Sequence, residues 1–164
     1  MIVQIMPTDP TCEPHPFLRP SFRCGCTKHA NAEEATGAWI ALFDAARRGA
    51  LYRYEEGGPM EAGTVMFTDF TLRGTWMAAM DSGDFHDFTF TPGVSMIISC
   101  EDQKEIDHYW AGLSAVPEAE RCGWCVDRWG VSWQVVPHNI AELMADTATL
   151  EKLLHMGKIN LASL

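Results

Sequence analysis

Three kinds of side chain in this sequence could carry chemistry: thiols at metal-ligand spacing, a histidine beside acids, and polar residues in apolar strands. Cys24-x-Cys26 and Cys122-x-x-Cys125 suggest a four-thiolate zinc site. However, residues 122–126 read as a strand, in which side chains three residues apart point to opposite faces. We therefore expect ordinary thiols here rather than zinc ligands or a disulfide.

His86 is the histidine best placed to act on a ligand. It lies in a polar and aromatic segment, residues 82–92, close to Asp84 and Asp87. A neighbouring carboxylate could orient the imidazole at the lip of a pocket, as a base or a ligand. The simpler alternative is a solvated loop histidine beside two acids.

The segment 121–137 predicts a β-hairpin. Two apolar runs, 122–126 and 131–136, flank a turn that ends in Gly130, which can take a positive φ. Pro137 lacks an N–H for the sheet and closes the second strand.

Gln134 is an uncharged polar side chain inside this apolar hairpin. Alternation places Trp133 and Val135 against a helix and Gln134 on the opposite face, where it must be hydrogen-bonded to protein, water or a ligand. Trp124 could form a stacking wall, and methionines such as Met96 suit an adaptable apolar pocket. The candidate ligand-binding residues are Asp81, Gln134, Trp124, His86 and Met96.

Composition restricts the partners. The chain has 164 residues, enough for one domain or two small halves, and a formal net charge of −10. This charge argues against nucleic acid and anionic membranes and favours neutral or cationic ligands. No apolar run is long enough to span a bilayer, and the first ten residues do not resemble a signal peptide. We expect a cytoplasmic protein with reduced cysteines.

The first half reads as one helix followed by strands. Five prolines make residues 7–20 extended or irregular. A helix then begins at Asn31, and we expect its last turn to hold Arg47 and Arg48, with Gly49 following. Strands are predicted at 50–54, 64–72 and 75–81, the last two joined by a tight Arg73-Gly74 turn.

The pattern then restarts in the second half. Residues 94–100 form a strand, and Glu101 or Asp102 caps a helix whose apolar stripe is Ile106, Tyr109, Trp110 and Leu113. Residues 114–120 are irregular and could hold a short edge strand. The predicted fold is α+β, with helices outside antiparallel sheets and two βαβββ modules. Its segments are a divergent N-terminus (1–29), module one (30–81), a connection (82–92), module two (93–137) and C-terminal helices (138–164).

Three segments carry a family resemblance: GVSMIISCEDQKEIDHYWAGLSA, RCGWCVDRWGVSWQVVP and LLHMGKINLASL. Together they resemble the PhnB-like proteins of the vicinal-oxygen-chelate superfamily, which includes glyoxalase I, extradiol dioxygenases and fosfomycin-resistance proteins. Residues 62–164 match well and residues 30–54 loosely. The resemblance implies two βαβββ modules that form a partly open barrel, often in a dimer.

The resemblance also implies where a divalent metal would lie, because active members hold it with the first and last strands of each module. The matching positions here are Gln134 and Asp81, with His15 or Cys24 in the divergent region of the first strand; in a metal-dependent enzyme, the third ligand would be His15 or His29. The first strand of module two offers no histidine. We therefore expect no native metal; if one binds, its ligands are Asp81, Gln134 and His15.

The function that we expect is binding of a small molecule in an apolar barrel pocket, of the glyoxalase and bleomycin-resistance type, by a homodimer aided by the C-terminal helices. One alternative is a divergent metal-dependent lyase, isomerase or dioxygenase. Another is a structural or interaction protein whose own side chains fill the pocket. Many PhnB-like proteins are labelled 3-demethylubiquinone 3-methyltransferase, but no G-x-G cofactor loop follows any predicted strand.

Overall fold

The computed structural model describes residues 31–82 and 90–164, which fall into two compact units that meet in sequence between Phe90 and Thr91. Each unit is an α+β module, as predicted, and its described part forms one three-stranded sheet, whereas a βαβββ module has four strands. Neither of the two described sheets closes on itself. Within these ranges no helix is both long and apolar enough to cross a membrane. The predictions for the first strand, His15, Cys24, Cys26, His29 and His86 lie outside the described residues.

The N-terminal module places one helix on an antiparallel sheet. Its strands follow in the order β1-β2-β3, and α1 packs on β2, where Trp39 and Phe70 have ring centroids 5.9 Å apart. The paired apolar rings anchor the helix to the sheet. The elements are α1 (Ala32–Leu42), β1 (Arg47–Arg53), β2 (Val65–Leu72) and β3 (Thr75–Ala79).

The first helix is shorter than its sequence predicts. It ends at Leu42, Ala45 has a φ of +53°, and the two arginines expected in its last turn begin β1 instead. The Arg48 guanidinium donates to the hydroxyls of Thr36 in α1 (2.9 Å) and Thr68 in β2 (3.2 Å). Pairing with β2 thus outweighs local helix propensity, which is a weak determinant.

The C-terminal module is built around a mixed sheet of order β4-β6-β5. Antiparallel strands were predicted, but β4 and β6 pair in parallel, because α2 carries the chain across one face of the sheet between them. The possible edge strand in residues 114–120 is a single 3-10 turn, Pro117–Ala119. The elements are β4 (Met96–Cys100), α2 (Gln103–Leu113), β5 (Trp124–Val126) and β6 (Ser132–Pro137).

Helix α2 confirms its predicted cap and stripe. The Asp102 carboxylate accepts the Glu105 N–H (2.9 Å), and Ile106, Tyr109 and Leu113 are buried. The helix packs on β6. One face of the C-terminal sheet is therefore covered by α2, and Gln134 lies on the opposite face.

The predicted turn of the hairpin is confirmed, with a φ of +86° at Gly130. Asp127, which is 2% exposed, organises it. Its carboxylate accepts the backbone N–H groups of Trp129 and Val131 and the indole N–H of Trp133, each at 2.9 Å. A buried carboxylate with three donors holds both strands in register.

The chain ends in two short helices, as predicted: α3 (Ile140–Ala145) and α4 (Thr147–Leu154). Residues 156–162 follow, and we name them the C-terminal strap. Its Ile159 is fully buried, so the apolar terminus docks on its own module.

Candidate functional site

The candidate site is the face of the C-terminal sheet that points away from α2. Strand register pairs Gln134 of β6 with Ile97 of β4 on one side and Trp124 of β5 on the other. Paired residues of neighbouring strands project to the same face. The structure thus brings Gln134 and Trp124 together, as the sequence suggested, and adds Ile97.

The polar centre of this face is a hydrogen bond between two side chains. The Gln134 Nε2 donates to the Ser95 hydroxyl at 2.7 Å, and Ser95 is only 3% exposed. The Gln134 Oε1 has no hydrogen-bond partner among the described residues. The amide is therefore oriented by the protein and still has an acceptor to offer. We refer to Ser95, Ile97, Trp124 and Gln134 as the Gln134 face.

The walls of this face are apolar and the face carries no charge. Ile97 is 41% exposed, and Trp124 is half-buried. The Trp124 indole N–H has no hydrogen-bond partner in the described ranges, so it adds a donor. Such a surface can stack a ring and hydrogen-bond its edge.

A turn and the C-terminal strap fix the position of Trp124. Cys122 and Gly123 have φ values of +50° and +81°, which a strand does not allow. The strand was predicted to begin at Cys122, but it begins at Trp124. The backbone N–H groups of Cys122 and Gly123 donate to the carbonyls of Met156 (2.6 Å) and Gly157 (2.8 Å) in the strap. The strap therefore holds the residue pair that precedes Trp124.

Gly123 has no room for a side chain. A Cβ there would lie 2.9 Å from the Val135 carbonyl oxygen, 3.0 Å from Ile159 and 3.1 Å from Val136. The Val135 N–H donates to the Gly123 carbonyl at 2.8 Å, directly beside Gln134. The glycine is thus required both for its positive φ and for close packing under the site.

Side chains of α2 hold the strap. Gln103 donates to the Ile159 carbonyl (3.1 Å) and accepts the Leu161 N–H (2.8 Å). Lys158 pairs with Asp107 at 2.5 Å, and hydrogen bonds from Lys158 and Gln103 lower the pKa of that carboxyl. Helix α2 thus anchors the strap through the Lys158 side chain and through the backbone of Ile159 and Leu161.

Met96 does not share the Gln134 face. It is buried on the side of β4 that α2 covers, since alternation places it opposite Ile97. In this position it belongs to the core of the module.

Asp81 caps a helix in the N-terminal module. Its Oδ1 accepts the N–H groups of Asn31 (3.1 Å) and Ala32 (2.9 Å), and its Oδ2 accepts that of Val65 (3.1 Å). The Asn31 side chain makes no cap hydrogen bond, so Asp81 supplies the anion that the start of α1 favours. At 2% exposure, its carboxylate is committed to the backbone.

Sequence reasoning missed a second buried carboxylate of the N-terminal module, that of Asp69 in the middle of β2. It accepts the Ala50 N–H at 2.6 Å, opposite the irregularity between Arg48 and Leu51 in β1. A Cβ on Gly49 would lie 2.1 Å from Asp69 Oδ1. The signal was a charged residue inside an otherwise β-branched and aromatic strand, which requires a partner.

The comparisons identify the family. The family described as 3-demethylubiquinone-9 3-methyltransferase matches residues 26–136, two thirds of the chain. The chain belongs to this PhnB-like family. A solved protein from Bacillus cereus, named as a 3-demethylubiquinone-9 3-methyltransferase, PhnB protein, is 33% identical; the match covers 74% of this chain and 98% of that one, with a TM-score of 0.63.

A second solved structure supports the fold alone. A Pseudomonas aeruginosa protein is 17% identical, with 72% of this chain and 94% of that one covered and a TM-score of 0.54. No curated protein shows significant sequence similarity. Family membership and the two modules establish an open, glyoxalase-like fold of the small-molecule-binding kind.

The metal that this superfamily implies does not fit the described donors. Within residues 31–82 and 90–164 no group of three or more His, Cys, Asp or Glu side chains could hold an ion. The Asp81 oxygens already accept three backbone N–H groups, and Gln134 stands among apolar and hydroxyl side chains. Divalent metals require three or four good ligands.

Within the described ranges of this PhnB-like protein, three cysteines are thiols that form no disulfide: Cys100, Cys122 and Cys125. Burial, with the nearby charges of Asp127 and Glu120, raises the pKa of the Cys125 thiol to about 12. Burial also raises the pKa of the Cys122 thiol. Both thiols are therefore protonated and poorly nucleophilic at neutral pH.

Proposed function

We propose that this PhnB-like protein binds a neutral or cationic small molecule on the Gln134 face without a native metal. One observation carries the proposal: Gln134 is oriented by a buried serine, its amide oxygen has no hydrogen-bond partner among the described residues, and it stands between an aromatic and an aliphatic side chain. Ligand sites typically combine such apolar walls with a few placed polar groups.

The chemistry of this face favours binding over catalysis. Its members are uncharged, so the face itself provides no general acid, general base or activated nucleophile. An amide and a hydroxyl can orient a ligand but not exchange a proton with it near pH 7.

The methyl transfer in the family's name receives no support from the described elements. A typical nucleotide-binding sheet places a glycine-rich loop between a strand and the following helix. In this chain, β4 passes into α2 through Glu101 and Asp102, without a glycine.

The test is thermal unfolding of the full chain in two arms. In the first, chelator-treated protein receives Zn²⁺, Mn²⁺, Ni²⁺ or Mg²⁺; in the second, a library of uncharged and cationic ring compounds. A ligand at 100 times its Kd adds about 2.7 kcal/mol, which raises the Tm of a chain of this size by roughly 5–10 °C.

We expect no shift with metals and a shift with at least one compound that Gln134→Leu abolishes. Ser99→Ala, on the same face but exposed, is the matched control and keeps the shift. A metal shift lost in Gln134→Leu would contradict the metal-free proposal. The absence of any compound shift would contradict the binding function.

A further inference from the structure

We propose that the Gln134 face recognises the amide or imide edge of a planar, uncharged ring. The inference rests on the binding function above and narrows it to one ligand class. It is argued from the hydrogen-bonding groups that the face leaves available and from their neighbours.

With respect to the part of the chain that the structure describes, this face offers one acceptor and two donors. The acceptor is the Gln134 Oε1, whose amide nitrogen is already committed to Ser95. Because the Ser95 hydroxyl accepts that bond, its own proton can be donated. The Trp124 indole N–H is the second donor, on the neighbouring strand.

A ring amide complements this pattern. Its N–H can donate to the Gln134 Oε1, and its adjacent carbonyl can accept from Ser95 or Trp124. A carboxylate or phosphate instead places negative charge against the amide oxygen on a face without lysine or arginine. A primary amine uses the acceptor and leaves both donors unpaired.

The neighbours of Gln134 favour a flat ligand. Trp124 and Ile97 flank it on adjacent strands, which lie about 4.8 Å apart in a sheet. An aromatic ring can stack on the indole while its polar edge reaches the amide between the two walls. Ile97 is 41% exposed, so a ligand that covers it removes apolar surface from water, which stabilises the complex.

The experiment compares 1(2H)-isoquinolinone with its N-methyl analogue by isothermal titration calorimetry on the full chain. Methylation removes the single N–H and keeps the ring and carbonyl. We expect the N-methyl compound to bind about tenfold more weakly, as the loss of one hydrogen bond in a partly buried site predicts. Gln134→Leu should remove this difference, and the Ser99→Ala control should keep it.

Circular dichroism establishes that each variant is folded. If Gln134→Leu does not fold, Gln134→Met removes the same amide with an unbranched side chain of similar length. Equal affinity for the two compounds, or a tenfold preference that survives loss of the amide, would overturn this inference. So would no binding of isoquinolinone up to its solubility limit. In each case the broader binding function is tested separately, by the library screen.

Discussion

Replacing Asp81 by alanine should destabilise the N-terminal module far more than a usual cap substitution. The carboxylate accepts three backbone N–H groups, two at the start of α1 and one at the start of β2, and is 2% exposed. Its removal leaves three backbone donors, two of them buried and one part-buried, without an acceptor, and the N-terminus of α1 without its anion.

The expected magnitude follows from these contacts. A hydrogen bond to a charged acceptor contributes about 1.5 kcal/mol or more, so the loss of three predicts a loss of at least about 4.5 kcal/mol in the free energy of unfolding. Asp81→Asn keeps the shape of the side chain but replaces one acceptor oxygen by a donor NH₂ group. It should lower the free energy of unfolding by about 2 kcal/mol. Asp102→Ala is the matched control, because Asp102 caps α2 through one exposed hydrogen bond and should cost about 1 kcal/mol.

Urea unfolding followed by circular dichroism measures the free energies. Native-state hydrogen exchange then locates the effect, since the amides of Asn31, Ala32 and Val65 should lose protection in Asp81→Ala. The reasoning is refuted if Asp81→Ala costs no more than Asp102→Ala and these three amides stay protected.

Three further outcomes are expected. In urea unfolding, Gly123→Ala should lower the free energy of unfolding by about 1–3 kcal/mol more than Gly74→Ala does. Both glycines have a φ of +81°, but of the two only Gly123 has close neighbours around an added Cβ. Equal losses of stability would contradict the packing argument. Ile159→Ala should cost about 3 kcal/mol and the exposed Leu154→Ala below 1 kcal/mol, and comparable values would show that the strap is not docked. From pH 9 to 12 the unfolded Cys125 thiol ionises while the folded thiol, with a pKa of about 12, stays protonated, so the free energy of unfolding falls with rising pH, by about 1.4 kcal/mol per unit. Cys125→Ala should reduce that slope, and an unchanged slope would contradict the raised pKa.

Predictions that depend on neighbours in sequence agree with the structure. The stripe and cap of α2, the hairpin turn ending in Gly130 and the two C-terminal helices were all predicted from periodicity and turn chemistry. Each depends on interactions within a few residues, which a sequence pattern records directly.

Predictions that depend on distant partners failed or stayed incomplete. The sequence could not reveal that Arg48 lies in β1 and hydrogen-bonds the hydroxyls of both Thr36 and Thr68. Nor could it reveal that β4 pairs in parallel with β6. It also could not distinguish a carboxylate that binds a ligand from one that caps a helix fifty residues away, as Asp81 does.

The sequence by itself determined the family, the α+β modules and the position of Gln134 on the strand face opposite the helix, because strand alternation and motif order are local properties. Only the tertiary structure decided which polar groups are already satisfied. Asp81 is committed to three backbone donors, whereas Gln134 is fixed by Ser95 and its Oε1 has no hydrogen-bond partner among the described residues. Hydrogen-bond partners come from residues far apart in the chain, so folding alone establishes which groups remain available to a ligand.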